Sequence, residues 1–159
     1  MEVVENTLGA DLEAFLARPL FGHLATHHPD GPRESPVWYL WEEGAAWILG
    51  DAATDTFPAR VEREPACSLG VVDFDAERGL VQHVGVRGHG TVEPFDRDRA
   101  ERLLARYLGA DRADWDGRFS EYVTNPTETA LLVRIEPDTV VARDQSYSPA
   151  PARNRTSAP

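Results

Sequence analysis

Apolar positions along this chain recur in two rhythms. In "LGADLEAFLARP" they fall at Leu12, Phe15 and Leu16, one face of a helix, with Asp11 placed as its cap and Pro19 as its stop. The rhythm then changes to the alternation of strands. "LFGHLATHHPDGPRESPVWYLW" predicts two strands around "HPDGP", whose Pro presets φ and whose Gly tolerates a positive φ. "AAWILGD" predicts a third strand after the turn Glu42-Glu43-Gly44. "TFPARVERE" returns to helix, with Thr56 as cap, Pro58 in the first turn and Pro65 beyond the end. "CSLGVVDFD" and "GLVQHVGVRGHGTVEPFD" predict two more strands joined through Ala76–Arg78, the second bent or bulged near Gly88 and Gly90. In "DRDRAERLLARYLGA" Asp96 caps a helix, Ala100, Leu103, Leu104, Tyr107 and Leu108 form its apolar stripe, and Gly109 closes it. "DWDGRFSEYV" predicts a short helix and "ETALLVRIEPDTVVARDQ" a last strand or strand pair.

Strands therefore follow one another through turn-length links, and helices are inserted between groups of them. That order predicts a mainly β protein, a six-stranded antiparallel sheet or barrel with added helices, and not a doubly wound fold. The expected domain is residues 1–147. From Ser148 the segment "SPAPARNRTSAP" has almost no apolar mass, so 148–159 is expected to be a disordered tail.

A chain of 159 residues can bury one real core but not two comfortable ones, and 42% hydrophobic residues is the share of a globular protein. The net charge of −11 argues against nucleic acid, which needs clustered positive charge. No apolar run is long enough for a bilayer, and residues 1–20 lack the apolar stretch of a signal peptide. Cys67 is alone and cannot form an internal disulfide, so a cytoplasmic setting is expected. All 16 basic residues are arginines. That excludes a Schiff-base lysine and leaves any phosphate to arginine, backbone amides or hydroxyls.

The five histidines show no recognised metal-ligand spacing, and no serine has nucleophile-elbow context, so no metal and no catalytic nucleophile is assigned. His83, Arg87 and His89 share strand parity and project from one face. Trp38, Trp41 and Trp47 lie within ten positions. By parity Val37, Tyr39 and Trp41 share one face and Pro36, Trp38 and Leu40 the other, while Pro36 removes one ladder donor. Trp38 and Trp47, with apolar Leu40 and Leu49 beside them, are expected to pack as framework.

Leu24-Ala25-Thr26, Pro29-Asp30-Gly31, Ser35-Pro36-Val37-Trp38-Tyr39 and Gly88 to Val92, in this order of elements, resemble the pyridoxamine-phosphate-oxidase-like family of FMN-binding split-barrel flavoproteins. The resemblance spans roughly residues 12 to 145. It implies a homodimer with FMN, or the deazaflavin coenzyme F-420 in some branches, in a groove facing Ser35, Pro36, Val37 and Trp38. Relatives carry a Ser-Arg-Lys-x-x-Asn pattern on the helix after the third strand. Here Thr56 and Phe57 stand at the basic pair and Arg60 at the asparagine, with Asp51 and Asp55 expected nearby. Thr54, Thr56 and Arg60 are the expected phosphate end, with Arg60 and Arg63 both weighed between phosphate binding and a solvated helix face. Tyr39, His83, Arg87 and His89 are the candidates for orienting a substrate. The implied activity is a flavin- or deazaflavin-dependent oxidoreductase acting on a small organic molecule. A substrate with a second phosphate suits this acidic chain poorly, which weighs against pyridoxamine phosphate oxidase activity itself. The alternative is a non-catalytic split-barrel binding protein that has lost the flavin or holds another planar ligand such as haem.

Overall fold

The computed structural model describes residues 1–149; residues 150–159, most of the expected tail, lie outside the described residues. Eight strands form one sheet: β1 (Glu2–Asn6), β2 (Gly22–Thr26), β3 (Arg33–Val37), β4 (Tyr39–Glu42), β5 (Ala45–Asp51), β6 (Ala66–Asp75), β7 (Leu80–Pro94) and β8 (Ala130–Asp144). Four helices are inserted: α1 (Leu12–Leu16), α2 (Phe57–Arg63), α3 (Arg97–Leu108) and α4 (Gly117–Thr124), with a 3-10 turn at Arg112–Asp114.

The mainly β, split-barrel class is as the sequence predicts, but the strand count is eight and not six. β1 is the first addition. It is a short exposed segment pairing parallel with β8, the one parallel pair among the described residues of an otherwise antiparallel sheet. The second comes from Trp38, which divides one expected strand into two. β3 pairs only with β2 and β4 only with β5, so the chain changes partner at that residue.

This change of partner brings the two edges of the curled sheet side by side without pairing them. The sheet runs β3-β2-β6-β7-β8-β5-β4, so the two ends of the path are neighbours in sequence with only Trp38 between them. The sheet must curl until its ends meet, and the seam is held by α3. The Tyr107 hydroxyl accepts the Tyr39 amide proton at 3.1 Å and donates to the Leu20 carbonyl at 2.8 Å. One phenol thus satisfies backbone groups that no ladder reaches.

Inside the curl, Leu24, Val37, Tyr39, Ile48, Leu69, Val71, Val84, Val86, Val133 and Val140 form the main core, capped by Leu12, Phe15 and Leu16 of α1. Asp11 caps α1 by accepting from the Ala14 amide at 2.8 Å, and Asp96 caps α3 by accepting from the Arg99 amide at 2.9 Å. α3 and α4 make a second cluster outside the barrel, where Leu103, Leu104, Trp115 and Val123 pack beneath Trp38 and Phe119.

The predicted irregularity near Gly88 is present, and β8 carries it. Arg87 pairs with Thr139 and Gly88 with Pro137, so Asp138 is left without a cross-strand partner. The approach there is close: a Cβ on Gly88 would lie 1.9 Å from the Glu136 carbonyl oxygen. The segment "ETALLVRIEPDTVVARDQ" forms one bent 15-residue strand.

Candidate functional site

Two adjoining pockets open beside the seam. The larger, of about 530 Å³, lies between the barrel and the α3–α4 cluster. Pro36, Val37 and Trp38 form one wall, Leu49, Gly50 and Phe57 another, and Leu103, Phe119 and Tyr122 come from the helices. Trp38 stacks on Tyr107 with ring centroids 4.6 Å apart and planes 4° from parallel, and on Phe119 at 5.5 Å. Tyr122 ties α4 to the pocket floor by donating to the Gly50 carbonyl at 3.1 Å. The pocket is a flat, largely apolar slot with an acidic and hydroxylic edge at Asp51, Thr54 and Asp55. Asp51 accepts hydroxyl protons from Thr129 and Thr127, which hold its carboxyl below the usual value.

The second pocket, of about 390 Å³, is lined by His28, Arg33, Thr56, Ala59, Arg60 and Arg63. Arg60 lies at its base and is only 8% exposed. Its Nε donates to Thr26 Oγ1 at 2.7 Å, one terminal nitrogen to Thr56 Oγ1 at 2.6 Å and the other to Ser35 Oγ at 3.3 Å. All three partners are neutral hydroxyls. Burial lowers the Arg60 pKa, and the charges of Arg33 and Arg63 lower it further.

An unpaired buried cation is costly, and this chain has carboxylates to spare. Elsewhere they are used: Arg18, Arg78, Arg99, Arg102, Arg112, Arg118, Arg134 and Arg143 each have an Asp or Glu partner within 4.0 Å. Arg33, Arg60 and Arg63 have no carboxylate partner among the described residues; Arg87, Arg97 and Arg106 have none either, but only the first three line one pocket. Arg33 donates only to the Gly31 and Pro32 carbonyls. A concentration of positive charge is thereby built into a protein of net charge −11.

The two pockets share a wall. Ser35 holds Arg60 while Pro36 faces the apolar pocket, and Thr56 lines the basic pocket while Asp55 and Phe57 line the apolar one. The arrangement matches a ligand with a planar ring at one end and an anionic group at the other.

The structure brings together Ser35, Pro36, Val37, Trp38, Thr56 and Arg60 around these pockets. Thr54 lies in the apolar pocket, apart from the basic one, and so do Asp51 and Asp55, which therefore do not line the pocket of Arg60. Thr56 precedes α2 but makes no side-chain capping bond, because its hydroxyl serves Arg60. Trp38 is half-buried and forms pocket wall as well as framework, whereas Trp47 is buried beneath the Arg99 guanidinium, 3.6 Å from its ring centroid.

The four substrate-orienting candidates fall outside both pockets. Tyr39 is fully buried, donates to the Leu16 carbonyl at 3.0 Å, and has a pKa pushed up to about 12 by burial. His83, Arg87 and His89 project from the outer sheet face, His89 pairing with Asp138 at 2.7 Å. Burial lowers the His83 pKa, and the Arg143 charge adds to that. Among the described residues no group of three or more His, Cys, Asp or Glu side chains could hold a metal ion.

Sequence reasoning missed Arg33 and His28 at this site and left Arg63 undecided. Two signals were available: Arg33 shares strand parity with Ser35, and Arg63 follows Arg60 by three positions on α2. His28 had none, because its place depends on how the β2–β3 turn folds over α2.

Comparison with known proteins agrees with the fold. A conserved hypothetical protein from Mycobacterium tuberculosis is 21% identical, with 91% of this chain and 89% of that chain covered and a TM-score of 0.68. An F420 reductase is 24% identical over 84% of this chain and 98% of its own, with a TM-score of 0.61. A FAD-binding protein from Mesorhizobium loti is 17% identical over 79% of this chain and 84% of its own, with a TM-score of 0.53. No curated protein matches the chain. The model of the pyridoxamine 5'-phosphate oxidase family matches residues 8–140, and the chain belongs to that family.

Proposed function

We propose that this protein is a flavin- or deazaflavin-dependent oxidoreductase that acts on a small organic molecule. In this reading the ring of the cofactor lies in the apolar pocket along Pro36, Val37 and Trp38, and its phosphate meets Arg60. The carrying observation is the buried Arg60 guanidinium, clamped by Thr26, Ser35 and Thr56 with no carboxylate beside it. The hydroxyls orient the fork without neutralising it, so its charge remains free for an anion. α2 is a seven-residue helix, and the work of holding the phosphate falls to side chains. Family membership and the structural likeness to an F420 reductase and a FAD-binding protein support the cofactor class.

A bound cofactor of this kind would supply the hydride chemistry. The chain itself positions the ring, keeps water from one face with Trp38, Leu49 and Phe119, and presents Asp51, Thr54 and Asp55 at the polar edge. We propose further that two copies associate through the outer sheet face, where Phe21, Val72 and Phe74 are 55%, 43% and 62% exposed. Purified protein with a flavin-type visible spectrum, or one that binds added FMN or deazaflavin with micromolar or better affinity, supports the reading. A colourless protein that binds neither would favour the non-catalytic barrel, and light scattering at the monomer mass of 17.6 kDa would refute the pairing.

A further inference from the structure

The apolar pocket carries a charge that a flavin ring does not use. Asp51 and Asp55 line it as half-buried carboxylates, and neither has an Arg or His partner within 4.0 Å among the described residues. Asp51 is fixed by the Thr129 and Thr127 hydroxyls and the Ala53 amide, which lower its pKa and keep it ionised. Asp55 accepts from the Asp51 amide through Oδ2 at 2.8 Å, while its Oδ1 has no hydrogen bond among the described residues. Both charges reach the Tyr122 phenol on the pocket wall: burial first, and then Asp51 and Asp55, push its pKa up to about 12. Arg118 is the one cation on the lining among the described residues. It lies 3.6 Å from Asp116, which offsets its charge, and over the Phe119 ring at 4.8 Å from the centroid. The pocket is left with two uncompensated negative charges beside the aromatic side chains of Trp38, Phe57, Phe119 and Tyr122.

Aromatic faces and fixed carboxylates attract the same kind of ligand, because ring quadrupole and anion both favour a positive charge. The chain's own Arg118 already uses the Phe119 face in this way. A flavin ring is a poor match for the acidic edge. Its polar rim sets two carbonyl oxygens around one N–H, so two carboxylates meet more acceptors than donors there. Resting on the cofactor reading above for its role as a substrate site, we propose that the part of the pocket lined by Asp51, Asp55, Phe119 and Tyr122 binds a small organic cation, a protonated amine or quaternary ammonium on an apolar frame. Asp51 and Asp55 are then the residues that set specificity, and the same pair repels an anionic substrate.

The test uses benzylammonium, benzyl alcohol and benzoate, one frame in cationic, neutral and anionic form. Each is titrated at low salt by ligand-detected NMR into the free protein and into protein preloaded with FMN. The proteins are the parent, Asp55→Asn and Asp51→Asn/Asp55→Asn, with a thermal melt of each to check the fold. The parent should bind benzylammonium about tenfold or more tighter than benzyl alcohol, with benzoate weakest, whether or not FMN is present. That preference should fall to about threefold in Asp55→Asn and about twofold or less in the double variant, while FMN affinity changes by about threefold or less. Should the double variant fail to fold, the single variant decides. Equal binding of benzylammonium and benzyl alcohol by the parent, no binding of any probe, or a preference undiminished in the folded variants overturns the proposal. If FMN binds and displaces benzylammonium, the two share one position and the substrate site is overturned. If the parent binds no FMN, the cofactor reading fails, and the cation site stands or falls on the free protein's preference alone.

Discussion

Replacing Arg60 by Met separates a binding arginine from a structural one. Arg60 is 8% exposed and makes three side-chain hydrogen bonds, so a simple count of contacts predicts severe destabilisation. The electrostatics of the pocket predict otherwise. The three bonds to hydroxyls are worth about 1 kcal/mol each net, while the buried guanidinium shares its pocket with two further arginines and no carboxylate. Removing it relieves that repulsion and desolvation, and Met fills the aliphatic part of the space. Unfolding free energy without ligand should therefore stay within about 1 kcal/mol of the parent. Ligand binding should behave very differently. Losing a bidentate charge-assisted contact to phosphate removes about 3 kcal/mol, roughly a hundredfold in affinity. Urea unfolding with and without FMN measures both quantities. At a concentration 100 times the parent's Kd, FMN should raise the parent's stability by about 2.7 kcal/mol and the variant's by about 0.4 kcal/mol. A variant that loses several kcal/mol without ligand, yet gains as much from FMN as the parent does, would show that Arg60 is a structural residue.

Tyr39→Phe should cost only about 1 kcal/mol, because Arg106 also donates to the Leu16 carbonyl, and should leave FMN titrations unchanged; a large loss of affinity would return Tyr39 to the site. Trp38→Ala removes the stacks on Tyr107 and Phe119 and should cost about 2–3 kcal/mol in urea unfolding while Trp38→Phe costs less than half of that; equal costs would contradict the stacking account. Hydrogen bonds from Arg102 and Arg99 hold the Glu42 carboxyl below its ordinary value of 4.5, so its contribution is present above that pH and is lost as pH falls through the lowered value. Glu42→Gln should lower stability at pH 7 by about 1 kcal/mol and flatten the acid limb below about pH 4.5, and an unchanged limb would refute the linkage. Gly88→Ala drives a Cβ into the Glu136 carbonyl and should cost at least about 2 kcal/mol or abolish soluble expression, and parent-like stability would mean that the β7–β8 bulge yields easily.

Much of the fold was legible because local signals and tertiary packing agree. The cap at Asp11, the cap at Asp96 and the turn at Pro29-Asp30-Gly31 are decided by neighbours in sequence, and the structure keeps each of them, whereas the irregularity expected in β7 near Gly88 is carried by Asp138 of β8. The two missed strands have no such signal. β1 is exposed along most of its length and exists because β8 offers it an edge, which is a property of the far end of the chain. The division at Trp38 leaves the alternation of buried and exposed residues intact through Val37, Tyr39 and Trp41, so the pattern reads as one strand. What changes there is the hydrogen-bonding partner, and side-chain parity carries no information about that.

The candidate site was legible in the same unequal way. Ser35, Pro36 and Val37 could be placed because a proline in a strand marks an interrupted ladder, and Arg60 because it was the remaining cation at the expected end. The same reasoning misjudged the acidic residues. Asp51 and Asp55 are close to Thr56 and Arg60 in sequence, but Thr127 and Thr129 draw the Asp51 carboxylate away, and Asp55 turns back onto the Asp51 amide at 2.8 Å. Sequence distance therefore overstates the repulsion a phosphate would meet. Thr56 shows the opposite effect. It looks like a helix cap, yet a hydroxyl at that position can serve the first turn or a side chain one turn on, and the buried guanidinium is the stronger claim. That choice ties the start of α2 to β2 through Thr26 and to β3 through Ser35, so three separate elements converge on one cation. A group held this tightly without a counter-charge is poised for an anion that the chain itself does not supply. Adding a carboxylate from within, by Thr56→Glu, should therefore stabilise the ligand-free fold and abolish FMN binding together. Thermal melts and titrations of that one variant measure both, and a gain in stability with binding retained would refute the assignment of this pocket to phosphate.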